Sequence, residues 1–168
     1  MYKSLLASLL IFITVFLTAT TSAWAVKSGD PVPSFRARTL LGDRMVGPED
    51  IQGKVVFIDF WASWCPPCLK SLPDFEQLRS AYSKDDVAIL AINVDEDPEL
   101  AKEFLRKIDV SYTILADQKG IVPEAFGVQT MPSSFLIDQA GVVRYVHRGY
   151  KSGDVQKIRA HIDQLLMN

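Results

Sequence analysis

Two thiols separated by two prolines dominate the chemistry open to this chain, because the run Trp64-Cys65-Pro66-Pro67-Cys68 contains both of its cysteines. At the start of a helix, cysteines three apart share one face within disulfide reach. The first thiol then lies at the helix N-terminus, where unpaired N–H groups and the helix dipole favour an anion. This makes Cys65 the attacking sulfur, with a depressed pKa and a populated thiolate. Cys68, one turn further in, is shielded and resolves the mixed disulfide. Such a short loop constrains the unfolded chain little, so the pair is a poor staple and a good redox-active disulfide. A zinc site needs about four ligands. Only His147 and His161 could add to the cysteines, so neither a metal nor a cofactor is expected. Both histidines read as ordinary, without an identifiable partner. The run Asp95-Glu96-Asp97-Pro98-Glu99 lacks the glycine and spaced oxygens of a calcium loop and reads as a strand end followed by a helix start.

Several elements must position the thiols. After Lys54 the run Val-Val-Phe-Ile-Asp-Phe-Trp to Trp61 is apolar but for Asp59, the mark of a buried central strand. A carboxyl between Ile58 and Phe60 should be desolvated, which raises its pKa and suits proton exchange with Cys68. The alternative is an acid that reaches the surface at the strand's end. From Pro66 to about Tyr82, the residues Leu69, Leu72, Phe75, Leu78 and Tyr82 recur at helical spacing. Pro66 or Pro67 sits in the first turn, where a missing N–H costs nothing, and Pro73 inside the helix should kink it.

A second buried strand spans 87–94. Asp97 can cap, and Pro98 start, a helix whose core face is Leu100 or Ala101, Phe104, Leu105 and Ile108. A short strand near 112–115 and a short helix ending before Gly127 follow. Residues 134–138 and 142–147 form a hairpin, and a final helix from about Asp154 carries Val155, Ile158, Ile162 and Leu165 on one face. The turn-rich segment 27–53 holds a small hairpin of 34–40 and 44–46. The order predicts an α/β sandwich in which helices flank a central mixed sheet, as one domain over 26–168.

The block from Val56 to Cys68 resembles the active-site strand and motif of the thioredoxin-like superfamily. Residues 127–138, Gly-Val-Gln-Thr-Met-Pro-Ser-Ser-Phe-Leu-Ile-Asp, resemble its second signature. The resemblance implies that Pro132 is a cis-proline facing the cysteines, and it runs from about Ser28 to the C-terminus. The N-terminal hairpin and the helix and strand inserted between Asp95 and Pro132 resemble the exported TlpA/ResA/CcmG (DsbE-type) group more than plain thioredoxin. Two positions depart from these patterns. Ser71 stands where many of the exported group carry a glutamate, and Ala91 aligns with the lysine that thioredoxin keeps near its buried acid. Asp59 is then the one carboxylate near Cys68, with no close lysine.

By the same resemblance Trp64, Pro66 and Pro67 border the substrate, and Met131 with Pro132 offers backbone on which an extended substrate can pair. Trp64 could equally cover the core, and Met131 could be loop packing.

Composition agrees with an exported globular domain. Of 168 residues 48% are hydrophobic and 23% charged. Lys3 precedes an apolar stretch that ends at Ala23-Trp24-Ala25, the layout of a signal peptide over residues 1–25. The uncharged residues 4–26 are also long enough to remain as a membrane anchor. Both readings place the domain outside the cytoplasm, in the periplasm or its equivalent. Basic residues are scattered, which argues against nucleic acid as a partner. The expected partners are exported protein thiols and disulfides and a membrane electron donor.

The expected activity is thiol–disulfide exchange. Its direction as a reductant, serving cytochrome c maturation or metal-site cysteines, is what the resemblance implies. A thioredoxin scaffold acting as a binding module with an inert disulfide is the competing reading. A peroxidase of the peroxiredoxin type would need a threonine where Ala62 stands.

Overall fold

In the computed structural model, residues 25–167 are described; the signal or anchor segment expected over residues 1–25 lies, apart from Ala25, outside them. The strands are β1 (Ala37–Thr39), β2 (Met45–Val46), β3 (Val55–Trp61), β4 (Val87–Asn93), β5 (Thr113–Ala116), β6 (Ser133–Ile137) and β7 (Val143–Arg148). The helices are α1 (Pro66–Ala81), α2 (Pro98–Leu105), α3 (Ile121–Ala125) and α4 (Asp154–Leu166). One mixed sheet runs in the order β2-β1-β5-β4-β3-β6-β7. The fold is thioredoxin-like, with the hairpin β1–β2 added at one edge.

All seven residues of β3 are buried, as its unbroken apolar run requires of a central strand. It pairs parallel with β4 and antiparallel with β6. Side chains alternate across it, so Val55, Phe57 and Trp61 enter one core while Val56, Ile58 and Phe60 enter the other. The first core lies under α1, α2 and α4, with Phe57 packed edge-on against Phe75 of α1 at 4.9 Å between ring centroids. The second lies under α3, where Phe126 contacts Phe35, Phe60 and Phe135.

The expected elements form with shifted ends. The predicted strand 112–115 becomes Thr113–Ala116, and Tyr112 instead turns its hydroxyl inward to the Leu72 carbonyl at 2.8 Å. In α2 Ala101 and Leu105 are buried, and Phe104 beside Trp61 and Ile108 just past the helix end pack against the same core, so of the expected face only the alternative Leu100 is exposed. Asp97 caps α2 by accepting from the Glu99 amide. Helix α1 runs through Pro73 without ending.

Candidate active site

Cys65 occupies the N-cap of α1, reached from β3 through Ala62, Ser63 and Trp64. Its sulfur is bonded to that of Cys68, across a Cα separation of 5.3 Å. Both cysteines are buried in this oxidised state, at 4% and 0% exposure, so shielding separates them less than their helix positions suggest. Pro66 and Pro67 fill the first two positions of the helix. Each lacks an N–H, so the helix start that should stabilise a Cys65 thiolate has lost two of its donors, leaving the Cys68 amide.

Trp64 is 64% exposed beside the disulfide, which excludes the core-covering alternative; Trp61 takes that place at 0%. Pro66 and Pro67 line a surface cavity together with Lys70, Asp74 and Tyr150. The Tyr150 hydroxyl donates to Asp74 across that cavity's wall. Met131 is half-buried and packs against the core that contains both cysteines. The Met131–Pro132 peptide bond is cis, and Pro132 is buried.

Asp59 shares a face of β3 with Phe57 and Trp61, the face turned toward α1, and is 0% exposed. The surface-reaching alternative therefore fails. Its cross-strand neighbours are Ala91 on β4 and Ser134 on β6. The Ser134 hydroxyl donates to Oδ1 at 2.7 Å, whereas Oδ2 has no hydrogen-bond partner among the described residues. Burial without a counter-charge lifts the carboxyl from its ordinary 3.8 to about 8, and the Ser134 bond offsets only part of that rise. Ser71, also buried, gives its hydroxyl to the Cys68 carbonyl at 2.9 Å.

Three features escaped sequence reasoning. Asp95 belongs to the acidic run read as a strand end, yet it is buried and accepts from the Ser63 amide, the Ser63 hydroxyl and the Asn93 side chain. That clamp holds the loop leading into Cys65. Ser134 could have been found only by adding strand register to the pattern, since period-two alternation from Leu136 turns it toward α1. His147, read as partnerless, contacts Asp154 at 3.1 Å through Nε2 and lies 3.4 Å from the Tyr145 hydroxyl through Nδ1. His161 stacks on Tyr145 at 4.1 Å. Neither histidine joins the cysteines, and among the described residues no cluster of three or more acidic, histidine or cysteine side chains could hold a metal ion.

A disulfide of two cysteines three apart, opening the helix that follows the central strand of a thioredoxin-like sheet, defines a thiol–disulfide oxidoreductase. The chain belongs to the Redoxin family, whose model matches residues 27–162. It is 32% identical over 152 residues to the thiol-disulfide oxidoreductase ResA of Geobacillus thermodenitrificans, covering 90% of this chain and 86% of that one. The thioredoxin-like protein YneN of Bacillus subtilis is 30% identical over 159 residues, covering 89% and 92%. Among solved structures, one from Chlorobium tepidum, provisionally named as the thiol:disulfide interchange protein DsbE, superposes with a TM-score of 0.79. It is 35% identical and the match covers 84% of this chain and 99% of that one.

Proposed function

We propose that this enzyme is an extracytoplasmic reductant of protein disulfides in which Cys65 attacks, Cys68 resolves and Asp59 carries the proton. The Cys65 thiolate attacks one sulfur of a substrate disulfide; that S–S bond breaks, a substrate thiolate leaves, and a mixed disulfide forms. Cys68 then gives its proton to the Asp59 carboxylate and attacks the Cys65 sulfur. The mixed disulfide breaks, the second substrate sulfur leaves as thiolate, and both thiolates take protons from water. Two electrons pass from the dithiol to the substrate.

The observation that carries this reading is the position of a wholly buried, uncompensated carboxyl on the strand that leads into the disulfide, facing the same helix. A base with its pKa near 8 is matched to a thiol proton. The prolines at both opening positions of α1 favour the reducing direction, because a less stabilised thiolate makes the dithiol a better electron donor. Trp64, Pro66, Pro67 and Met131 form the surface a substrate polypeptide meets, and the cis bond to the buried Pro132 sets the course of the Met131 backbone beside it.

Residues 1–25 act as a signal peptide or, uncleaved, as an anchor, with the oxidoreductase domain over 26–168. Among the described residues no helix is long and apolar enough to cross a membrane. Re-reduction then comes from a membrane electron donor, and the reduced cysteines of exported proteins, such as those for haem attachment, are the products.

Replacing Cys68 by Ala tests the reading. The variant should accumulate covalent complexes with exported proteins through Cys65, released by dithiothreitol. Non-covalent complexes alone would favour a binding module with an inert disulfide.

A further inference from the structure

A serine on a buried strand face has to spend its hydroxyl on something, because unpaired buried polar groups are costly. Ser134 is 2% exposed and occupies the row of the sheet formed by Ala91, Asp59 and His147, on the face that Leu136 shares with the core beneath α1. Its hydroxyl donates to one acceptor, Asp59 Oδ1, at 2.7 Å. His147, paired with it on β7, does not compete, since its ring nitrogens meet Asp154 and Tyr145. The neighbouring Ser133 points to the opposite face and donates to Thr130. Among the described residues Asp59 in turn receives no other hydrogen bond, and its second oxygen has no partner.

We propose that Ser134 is a positioning residue for the proton transfer: by holding Oδ1 it leaves Oδ2 as the oxygen that exchanges a proton with Cys68, and it sets the pH range over which that exchange runs. The inference rests on the role proposed above for Asp59. A hydroxyl donated to a carboxylate stabilises the charged form, so it keeps a buried base usable at neutral pH. Without it, Asp59 would ionise only at higher pH and its carboxyl would be free to rotate away from Cys68.

The other groups that sense Asp59 do not duplicate this role. Tyr112 gives its hydroxyl to the Leu72 carbonyl and Tyr150 gives its own to Asp74. Burial is the largest cause keeping both phenols protonated well above their ordinary range, with the Asp59 charge adding to the rise. The sulfurs of Cys65 and Cys68 are the reacting atoms themselves. His147 lies one strand beyond Ser134 and is held by Asp154.

Stopped-flow reaction of the reduced full-length protein with dithiobis(nitrobenzoate) separates the two steps, because each releases one coloured thiolate. The first release reports attack by Cys65 and the second reports resolution by Cys68. Ser134→Ala should leave the first phase unchanged and move the pH midpoint of the second upward by about one unit, slowing it roughly tenfold at pH 7. Ser134→Thr, which keeps the hydroxyl, should restore the midpoint and controls for disturbed packing. In an Asp59→Asn background Ser134→Ala should have no further effect on the profile. If Asp59→Asn abolishes the midpoint but Ser134→Ala does not move it, or slows the second phase equally at every pH, the role of Ser134 is overturned while that of Asp59 stands. If Asp59→Asn itself leaves the second phase unaltered, the proposed role of Asp59 falls first, and that of Ser134 with it.

Discussion

The amide of Ser63 donates to the carboxylate of Asp95 at 3.0 Å, although 32 positions separate them in the chain. This contact ties the loop between β3 and Cys65 to the end of β4. Asp95 also accepts from the Ser63 hydroxyl at 3.1 Å and from Asn93 at 2.8 Å, so one buried acid fixes the approach to the disulfide. Asp95→Ala would leave the half-buried donors of Ser63 and the buried Asn93 amide without this acceptor. It should cost about 3 kcal/mol in urea unfolding, and Asp95→Asn, which keeps an acceptor oxygen, less. A loss below about 0.5 kcal/mol would show that the clamp is not needed.

Asp59 makes stability depend on pH in a definite direction. Its carboxyl ionises near 3.8 when unfolded and about 8 when folded. Below pH 4 both states hold the proton and the group costs nothing. Between pH 4 and 8 only the unfolded chain releases it, so the folded state loses stability steadily, on the order of 5 kcal/mol in total, and the loss levels off above pH 8. Asp59→Asn has no such titration. The stability of the variant relative to the parent should rise between pH 4 and pH 8 in calorimetric or urea unfolding. A difference that stays flat across that range would contradict the buried carboxyl.

The double proline bears on the direction of electron flow. Pro67 at the second helical position removes an N–H that could point at the Cys65 sulfur. Pro67→Ala returns it. A donor worth about 1 kcal/mol to the thiolate should raise the reduction potential by roughly 20 mV, making the pair more oxidising. Equilibration with glutathione redox buffers measures this, and a fall in potential would reverse the argument for a reductant.

Trp64 is a large apolar side chain left 64% exposed beside the reacting sulfurs. Trp64→Ala should change unfolding free energy by less than about 0.5 kcal/mol. It should also raise KM for a disulfide-bonded polypeptide several-fold while leaving reaction with a small disulfide unaffected. Equal effects on both substrates would assign it to the chemistry rather than to the platform.

Most of the framework was legible because its signals are local. The apolar run 55–61 could only be a buried strand, the spacing from Leu69 to Leu78 only a helix, and the cysteine pair stood at their junction. The apolar neighbours of Asp59 pointed to a buried acid but left open one that reaches the surface at the strand's end, which its full burial rules out. The clamp by Asp95 and the bond from Ser134 were not legible, because each joins segments that the sheet brings together: Ser134 meets Asp59 only through the antiparallel register of β6 on β3. The same holds for His147, whose partner Asp154 lies on a different element. Element ends shifted where burial overrode local preference, as at Tyr112, whose hydroxyl is drawn to the Leu72 carbonyl in α1.

The division of labour between the two thiols is tested most directly by labelling the reduced protein with iodoacetamide at pH 6, where an ordinary thiol is almost wholly protonated, and locating the adduct by mass spectrometry. Labelling should fall first and predominantly on Cys65, with Cys68 modified only slowly. Faster labelling of Cys68, or equal slow labelling of both, would contradict Cys65 as the attacking sulfur.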